Sequence, residues 1–148
     1  MALFAVPVLI VTGALLDPRL IGPVGPIGAT EVVAAKFTAC AGGNAPACVV
    51  DGDTFRLGDR TIRITGIDAP EIAKPLCPAE AELGKRSAAR LLALLNQGSF
   101  DMIAHRLQRE DRHGRSLMVL RRNGDSIGAQ LIDEGLAHRY TGFKISWC

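Results

Sequence analysis

The sequence predicts an α+β domain that is mainly β: a small mixed antiparallel barrel with helices packed against it. The 148 residues, 48% of them hydrophobic, suffice for one globular domain and are too few for two of ordinary size. Short segments rich in β-branched and large apolar residues are bounded by Gly, Asp or Asn. Their order is strand, strand, helix, strand, strand, helix, which differs from the regular alternation of a parallel doubly wound sheet.

Composition excludes a disordered tail protein and a protein that binds through a strong field of one sign. The chain carries 17 Lys and Arg against 15 Asp and Glu, which gives a formal charge of +2. Thirteen of the basic residues are Arg. The planar guanidinium suits bidentate contact with phosphate or carboxylate better than an ammonium group does.

The first 35 residues differ from the rest of the chain. An uncharged apolar run covers residues 2–16, and a Gly- and Pro-rich linker covers residues 20–29. The run has the length of a signal-peptide core, whereas a membrane span needs roughly 20 residues. We therefore expect residues 1–35 to be a targeting or anchor segment with a linker, and residues 36–148 to be the folded domain. A cleaved signal, a short uncleaved membrane tether and an element packed on the core remain alternatives.

Four segments predict β-strands because each is rich in β-branched or large apolar residues and is bounded by turn formers. They are residues 49–57, 61–67, 100–107 and 116–121. Together they supply the sheet of the expected barrel.

Two segments predict helices. The first begins at Pro78, carries acidic residues near its start, and ends before Asn96. Its apolar residues recur at helical spacing and form one face. The second is shorter, begins at Ser126, which can cap the first turn, and ends near Gly135.

The four cysteines indicate disulfides. They are even in number, lack CxxC spacing and have no close His partner, which argues against zinc. Four cysteines allow three pairings, and four reduced thiols remain the alternative. We favour Cys40 with Cys48, which closes a short loop, and Cys77 with Cys148, which ties the C-terminus to the body. Disulfides fit an oxidising compartment, so we expect an exported protein, periplasmic or extracellular, or one anchored through its N-terminus.

The first segment that carries chemistry is 49–55, where Asp51 and Asp53 flank Gly52. Asp-Gly is a strong turn signal and indicates a hairpin. Because β-formers continue on both sides, the segment also fits one bent or bulged strand. In that second interpretation the two carboxylates lie beside the bend.

The second such segment is 62–71, where residue types alternate with period 2. Arg63 therefore points away from the isoleucines beside it, and Asp68 and Glu71 follow as a proline ends the strand. Loop ends of this kind commonly present reactive groups. A purely structural alternative makes Arg63 an ion-pair partner of these acids.

The third segment, Asp111–Arg115, is a polar turn between two apolar strands. Alone it indicates only a hairpin connection with a flexible glycine. Together with the second segment it supplies two cations, Arg63 and Arg115. Such a pair can hold the nonbridging oxygens of a phosphodiester as negative charge builds.

The acids of these segments form a candidate metal and water site. The carboxylates of Asp53 and Asp68 and the backbone carbonyl of Ala69 are hard oxygen ligands, which suit calcium. Glu71 is placed to orient or deprotonate a water molecule near such an ion.

Three ordered segments resemble the thermonuclease, or staphylococcal nuclease-like, family: Cys48–Phe55, Ile62–Glu71 and Asp111–Arg115. Gly135–Ala137 resembles a later Gly-Leu-Ala of that family. The resemblance implies a five-stranded OB-fold Greek-key barrel with packed helices. It also implies calcium-dependent cleavage of DNA and RNA that leaves 3′-phosphates.

The resemblance assigns a role to six positions. The calcium ligands it implies are Asp53, Asp68 and the main-chain oxygen of Ala69. The catalytic residues it implies are Glu71, which acts on the attacking water, and Arg63 and Arg115, which hold the phosphate. Ala69 stands where the best-known member has a threonine, but a backbone ligand survives that exchange.

Other positions depart from the family pattern. The segment 72–83 is short and contains one lysine, Lys74. The staphylococcal enzyme has a longer lysine-bearing loop at this place. His113 replaces an aromatic residue before the Gly-Arg pair, and Tyr140 is a candidate for base stacking. We expect a monomer that acts on single-stranded or frayed DNA and RNA.

Two other functions compete with a calcium-dependent endonuclease. One is a catalytically inactive module that only binds nucleic acid or protein. The other is an exported structural domain whose acids merely bind calcium. The sequence favours the enzyme because neither the acids nor the second arginine is missing.

Overall fold

The computed structural model describes residues 30–42, 45–105 and 108–148. A mainly β half-barrel with two helices confirms the predicted α+β class. The predicted apolar run and the Gly/Pro linker lie outside the described residues. No helix within the described ranges is long and apolar enough to cross a lipid bilayer.

The described elements are ten strands and two helices. In chain order they are β1 (Thr30–Val33), β2 (Thr38–Ala39), β3 (Ala47–Asp51), β4 (Thr54–Leu57), β5 (Arg60–Ile64), β6 (Ile67–Asp68), α1 (Pro78–Leu95), β7 (Phe100–Ala104), β8 (Ser116–Arg122), β9 (Asp125–Ser126), α2 (Ile127–Asp133) and β10 (His138–Arg139).

The main sheet has the strand order β1-β7-β8-β5-β4-β3-β2, with β9 paired to β8. Its pairings are antiparallel except β5 with β8 and β2 with β3, which are parallel. Five strands, β7, β8, β5, β4 and β3, form the centre of this order, as the OB-type expectation requires. Strands β6 and β10 form a separate antiparallel pair.

The predicted strand 49–57 is wrong in extent, because it forms two strands. The hairpin interpretation is confirmed, and an irregularity of the sheet beside the carboxylates, as the bulge interpretation expected, is present as well. Strands β3 and β4 pair antiparallel around Gly52 and Asp53, with Asp51 opposite Thr54. The register shifts between Val49 and Asp51. The Asp51-Gly52 turn signal ends the first strand. The β-forming residues on its two sides fit two antiparallel strands as well as they fit one long strand.

The predicted strands 61–67 and 100–107 are also shorter in the structure. Strand β5 ends at Ile64, and a turn with Gly66 at φ 79° separates it from β6. Strand β7 ends at Ala104, and residues 106 and 107 lie outside the described ranges. The predicted strand 116–121 matches β8 to within one residue.

The sheet begins N-terminal of residue 36. Strand β1 pairs antiparallel with β7 and buries Val33 in the core. The pairing satisfies the backbone groups of β7 on the side that β8 does not reach. Part of the segment 1–35 is therefore a β-strand of the domain.

Both helices begin where the sequence predicts. Helix α1 starts at Pro78 and ends at Leu95, and Gly84, Leu91 and Leu95, which share one face of the helix, are buried. Helix α2 starts after Ser126, whose Oγ accepts a hydrogen bond of 3.1 Å from the N–H of Ala129. Helix α1 packs against β3 and α2, and α2 packs against β8.

One hydrophobic core lies between the sheet and the helices. Three phenylalanines, Phe37, Phe55 and Phe100, pack together with ring centroids 5.5 to 6.5 Å apart. The buried leucines of α1 and α2 cover them from the other side. Such burial of large apolar side chains is the main favourable term in folding a domain of this size.

Both favoured disulfides are present. Cys40 bonds to Cys48, with Cα atoms 5.0 Å apart, and joins the end of β2 to β3. Cys77 bonds to Cys148 across 71 residues, with Cα atoms 6.1 Å apart. Because Cys77 is the N-cap residue of α1, the C-terminus is held at the start of that helix.

Gly52, in the β3–β4 turn, packs directly against helix α1 and the segment after β6. A Cβ at this position would overlap the side chain of Ser87 on α1 and would lie 2.8 Å from the Cβ of Ala69. Ser87 in turn donates a hydrogen bond of 2.7 Å to the carbonyl of Leu136. The absence of a side chain lets the turn that carries Asp53 pack against the segment that carries Ala69.

We predict that Gly52→Ala lowers the free energy of unfolding by about 1–3 kcal/mol, because overpacking forces the turn away from Ser87. Urea unfolding measures the change. The control is a double-mutant cycle with Ser87→Gly, which opens the space. Simple additivity of the two changes would show that the overlap with Ser87 is not the cause.

Candidate active site

The predicted site residues come from four places along the chain. Asp53 lies in the β3–β4 turn, and Arg63 lies on β5. Asp68 ends β6 and is followed by Ala69 and Glu71.

Arg115 immediately precedes β8. Strands β5 and β8 are parallel neighbours with Ile62 opposite Ser116, so Arg115 lies close to the strand that carries Arg63. The sheet thereby brings together arginines that are 52 positions apart in sequence.

Asp53 joins three segments through its carboxylate. Oδ1 accepts hydrogen bonds of 2.8 Å from the Oγ1 of Thr54 and from the Nη1 of Arg63. Oδ2 accepts one of 3.0 Å from the N–H of Ala69. The side chain is 4% exposed, and these bonds satisfy a charge that would be costly to bury alone.

Asp68 is the second buried acid of the site. Its Oδ1 lies 3.5 Å from the Nη2 of Arg63 and 3.2 Å from the Nζ of Lys144. Arg63 therefore contacts both aspartates among the predicted metal ligands at once. The structural alternative for Arg63, an ion pair with nearby acids, is present in this arrangement, although Arg63 also lines a cleft.

Glu71 is more exposed than the two aspartates. Its Oε1 lies 3.1 Å from the Nζ of Lys144. Its backbone N–H donates to the Oε1 of Glu80 at 3.2 Å, and the N–H of Leu76 donates to the Oε2 of Glu80 at 2.6 Å. The buried Glu80 thus holds both ends of the loop 71–76.

Arg115 is oriented by its own turn. Its Nε donates to the Oδ2 of Asp111 at 2.7 Å, and the Oδ1 of Asp111 accepts from the N–H groups of His113 and Arg115. Burial alone would raise the pKa of Asp111, but these backbone and guanidinium hydrogen bonds outweigh it and lower that pKa. The acid stays ionised and keeps the arginine in place.

The three predicted catalytic residues line one cleft of about 780 Å³. Arg63, Glu71 and Arg115 share its wall with Lys144 and Tyr140. The other lining residues are Gln108, Asp111, Arg112, His113 and Leu117. A cleft with this many cationic side chains suits an anionic ligand.

A second cleft of about 550 Å³ adjoins the first. Asp68 and Ala69 line it, and Glu71 and Lys144 line both clefts. The structure therefore brings all six predicted site residues into one region, with Asp53 buried beneath and bonded to Arg63 and Ala69.

Asp51 has a perturbed pKa. Burial and the charge of neighbouring Asp53 raise the pKa of Asp51 to about 7. Its Oδ1 accepts a hydrogen bond of 3.1 Å from the N–H of Asp53. This carboxyl therefore holds its proton more readily than an exposed aspartate does.

Within the described ranges, no three His, Cys, Asp or Glu side chains are arranged to hold a metal ion. The residues nevertheless fit a calcium ion in their chemistry. Three carboxylates, of Asp53, Asp68 and Glu71, face two cations, Arg63 and Lys144. The site carries excess negative charge on hard oxygen atoms, and an ammonium group already occupies part of it.

Sequence reasoning did not assign Lys144 or Glu80 to the site. Glu80 gives a weak signal as an acid in the first turn of α1, which ordinarily indicates a favourable helix-dipole interaction. Lys144 gives no signal, because its partners lie 73 and 76 positions earlier and the chain reaches them only through the tertiary fold. Burial of the ammonium would lower the pKa of Lys144, but hydrogen bonds to Glu71 and Asp68 raise it.

Comparison with known proteins agrees with the geometry. The model of the family described as "Staphylococcal nuclease homologue" matches residues 61–146. Over 92 residues, 60% of this chain, the sequence is 33% identical to the SPbeta prophage-derived endonuclease YokF of Bacillus subtilis (strain 168). It is 32% identical over 92 residues to the Endonuclease YncB of the same organism.

The matches are partial on both sides. They cover 31% of YokF and 43% of YncB, so this chain spans less than half the length of these relatives. The turn that carries Asp53 precedes the stretch that the family model matches. That stretch nevertheless covers more than half of the chain and contains Arg63, Asp68, Glu71 and Arg115. The chain belongs to the staphylococcal nuclease homologue family.

Proposed function

We propose that this protein is a calcium-dependent endonuclease, a hydrolase that cleaves phosphodiester bonds of DNA, RNA or both. Water attacks the phosphorus in line with the leaving 5′-oxygen, and 3′-phosphates are left. Membership of the family and the relatives' names as endonucleases support this proposal. The observation that carries it is the convergence of Arg63, Arg115 and Glu71 on one cleft beside two buried aspartates.

Arg63 and Arg115 hold the phosphate in this proposal. Arg63 is fixed on a central strand by Asp53 and Asp68, and Asp111 binds the Nε edge of Arg115. Both guanidinium groups are therefore oriented before a substrate arrives. Cations oriented in advance stabilise the charge that develops in the transition state without a reorganisation cost.

Glu71 orients the attacking water and takes its proton. Its carboxylate is about half exposed at the border of both clefts, so water can reach it. Its backbone is held by Glu80. A base needs this combination of access and fixed position.

Asp53, Asp68 and the main-chain oxygen of Ala69 would hold the calcium ion. When bound, the ion supplies positive charge that polarises the phosphate and favours ionisation of water. Calcium tolerates irregular oxygen ligand sets and keeps several waters, so two carboxylates and one carbonyl can suffice.

The substrate we propose is single-stranded or frayed DNA or RNA, bound by a monomer. The cleft presents Arg63, Arg112 and Arg115 to a phosphate backbone, and Tyr140 is partly exposed at its wall. We also propose export, with residues 2–16 as a signal or tether. Two disulfides support an oxidising compartment.

We predict that Arg115→Ala lowers the rate of cleavage by a factor of about 10² or more, because one oriented charge is lost at the phosphate. The measurement is the initial rate on end-labelled single-stranded DNA with calcium. Arg86→Ala, which removes an exposed arginine from α1, is the matched control and should keep the wild-type rate. Equal rates for Arg115→Ala and wild type would contradict the role of Arg115.

We predict that Glu71→Gln lowers the rate by a similar factor of about 10² or more while nucleic-acid binding persists, because the base is lost and the cations remain. Rates and binding are measured on the same substrate, with Glu82→Gln as the exposed control. Binding by wild type without cleavage would instead support the inactive binding module.

We predict that a chelator abolishes cleavage by the full chain and that added calcium restores it, because a bound calcium ion would supply the charge that polarises the phosphate. The product ends are identified by whether a phosphatase must act before a polymerase can extend them. Digestion that persists in excess chelator would refute the metal role.

A further inference from the structure

Lys144 forms ion pairs with two acids, one of which the proposed function assigns to metal binding and the other to proton transfer. Its Nζ lies 3.2 Å from the Oδ1 of Asp68 and 3.1 Å from the Oε1 of Glu71. The Asp68 side chain is 3% exposed, whereas that of Lys144 is 58% exposed. An ammonium group supplied from the surface therefore neutralises a buried carboxylate.

Lys144 belongs to the C-terminal segment, residues 141–148, which contains no helix or strand. Two contacts anchor this segment near its end. Cys148 is bonded to Cys77, and the Trp147 indole stacks on the His138 ring with centroids 3.6 Å apart. The lysine lies four residues before the disulfide.

The disulfide joins the two segments that the Lys144–Glu71 contact also joins. The loop 71–76 connects Glu71 to Cys77, and within the C-terminal segment four residues separate Lys144 from Cys148 in numbering. The two segments are covalently linked at one end and ion-paired at the other. The covalent link restricts the volume that the Lys144 ammonium can explore and so raises its local concentration near Glu71.

Arg63 and Lys144 differ in how firmly they are held. Arg63 lies on β5, contacts both aspartates, and has a side chain 16% exposed. Lys144 lies on irregular backbone, and exposed ion pairs contribute little to the stability of its position. A cation that needs the Oδ1 of Asp68 displaces the ammonium more easily than the guanidinium.

We propose that Lys144 is a tethered competitor of the divalent cation: the segment fixed by the Cys77–Cys148 disulfide keeps its ammonium on Asp68 and Glu71, and calcium must displace it. This inference rests on the proposed function, since it takes Asp68 as a calcium ligand. The competition sets the calcium concentration that the site requires. It also keeps the acids neutralised when calcium is scarce.

The test is the calcium affinity of the full chain, measured by calorimetry without substrate. We expect Lys144→Gln to bind calcium about three- to tenfold more tightly than wild type, because two ion-pair contacts no longer oppose binding. Lys74→Gln is the matched control. Lys74 lines the same second cleft and carries the same charge. Among the described residues, Lys74 makes no hydrogen bond or ion pair with Asp68 or Glu71. We therefore expect the calcium affinity of Lys74→Gln to change by less than about twofold.

The tether is tested by Cys77→Ser/Cys148→Ser, which removes the disulfide and keeps Lys144. We expect tighter calcium binding than wild type and no further tightening when Lys144→Gln is added, because both changes remove the same competitor. Near-UV circular dichroism checks that the fold persists. If it does not, Trp147→Ala, which removes the other anchor of the segment, replaces the cysteine variant with the same expectation.

The outcomes separate this inference from the proposed function. Equal effects of Lys144→Gln and Lys74→Gln, or weaker binding by Lys144→Gln, overturn the competition. Wild-type affinity without the disulfide, or with Trp147→Ala in its place, overturns the tether. Calcium binding that is absent in wild type, or unchanged in Asp68→Asn, overturns the metal site itself.

Discussion

The Asp53 carboxylate is the contact on which the candidate site depends. It accepts hydrogen bonds from β4, from the guanidinium of Arg63 on β5, and from the peptide of Ala69. Removing one partner of such a buried ion pair costs about 3–5 kcal/mol, because the other charge stays buried and unpaired. The sheet, the turn and the segment after β6 are thus locked into one relative position.

That lock also determines which groups remain available for chemistry. The guanidinium of Arg63 divides its contacts between Asp53 and Asp68, so these carboxylates stay close although they come from separate β-segments. Lys144 is the second cation of this cluster and forms ion pairs with Asp68 and Glu71. Two cations of different character therefore face the three carboxylates of the site. The Arg63 guanidinium is half-buried and held on β5, and the Lys144 ammonium is exposed and held by the C-terminal segment.

A small fold supports this cluster through close packing and covalent links. Gly52 lets the turn approach α1, and Glu80 at the start of α1 fixes the loop that bears Glu71. The Cys77–Cys148 disulfide adds a constraint at the same helix start. Constraints at one helix N-terminus thereby control both the base and the lysine that contacts it.

The sequence by itself predicted the helices and the class of fold, because these depend on local signals and on the order of the elements. The six predicted site residues came from three ordered segments and their resemblance to the nuclease family. Pro78 and Ser126 mark helix starts, Asp51-Gly52 marks a turn, and the segment 62–71 carries its acids just where a strand ends. Local propensity could not decide whether 49–57 was one strand or two. Only the tertiary structure decided that Arg63 joins both aspartates, that Glu80 is buried, and that Lys144 reaches Asp68, because these contacts form between segments that packing alone brings together.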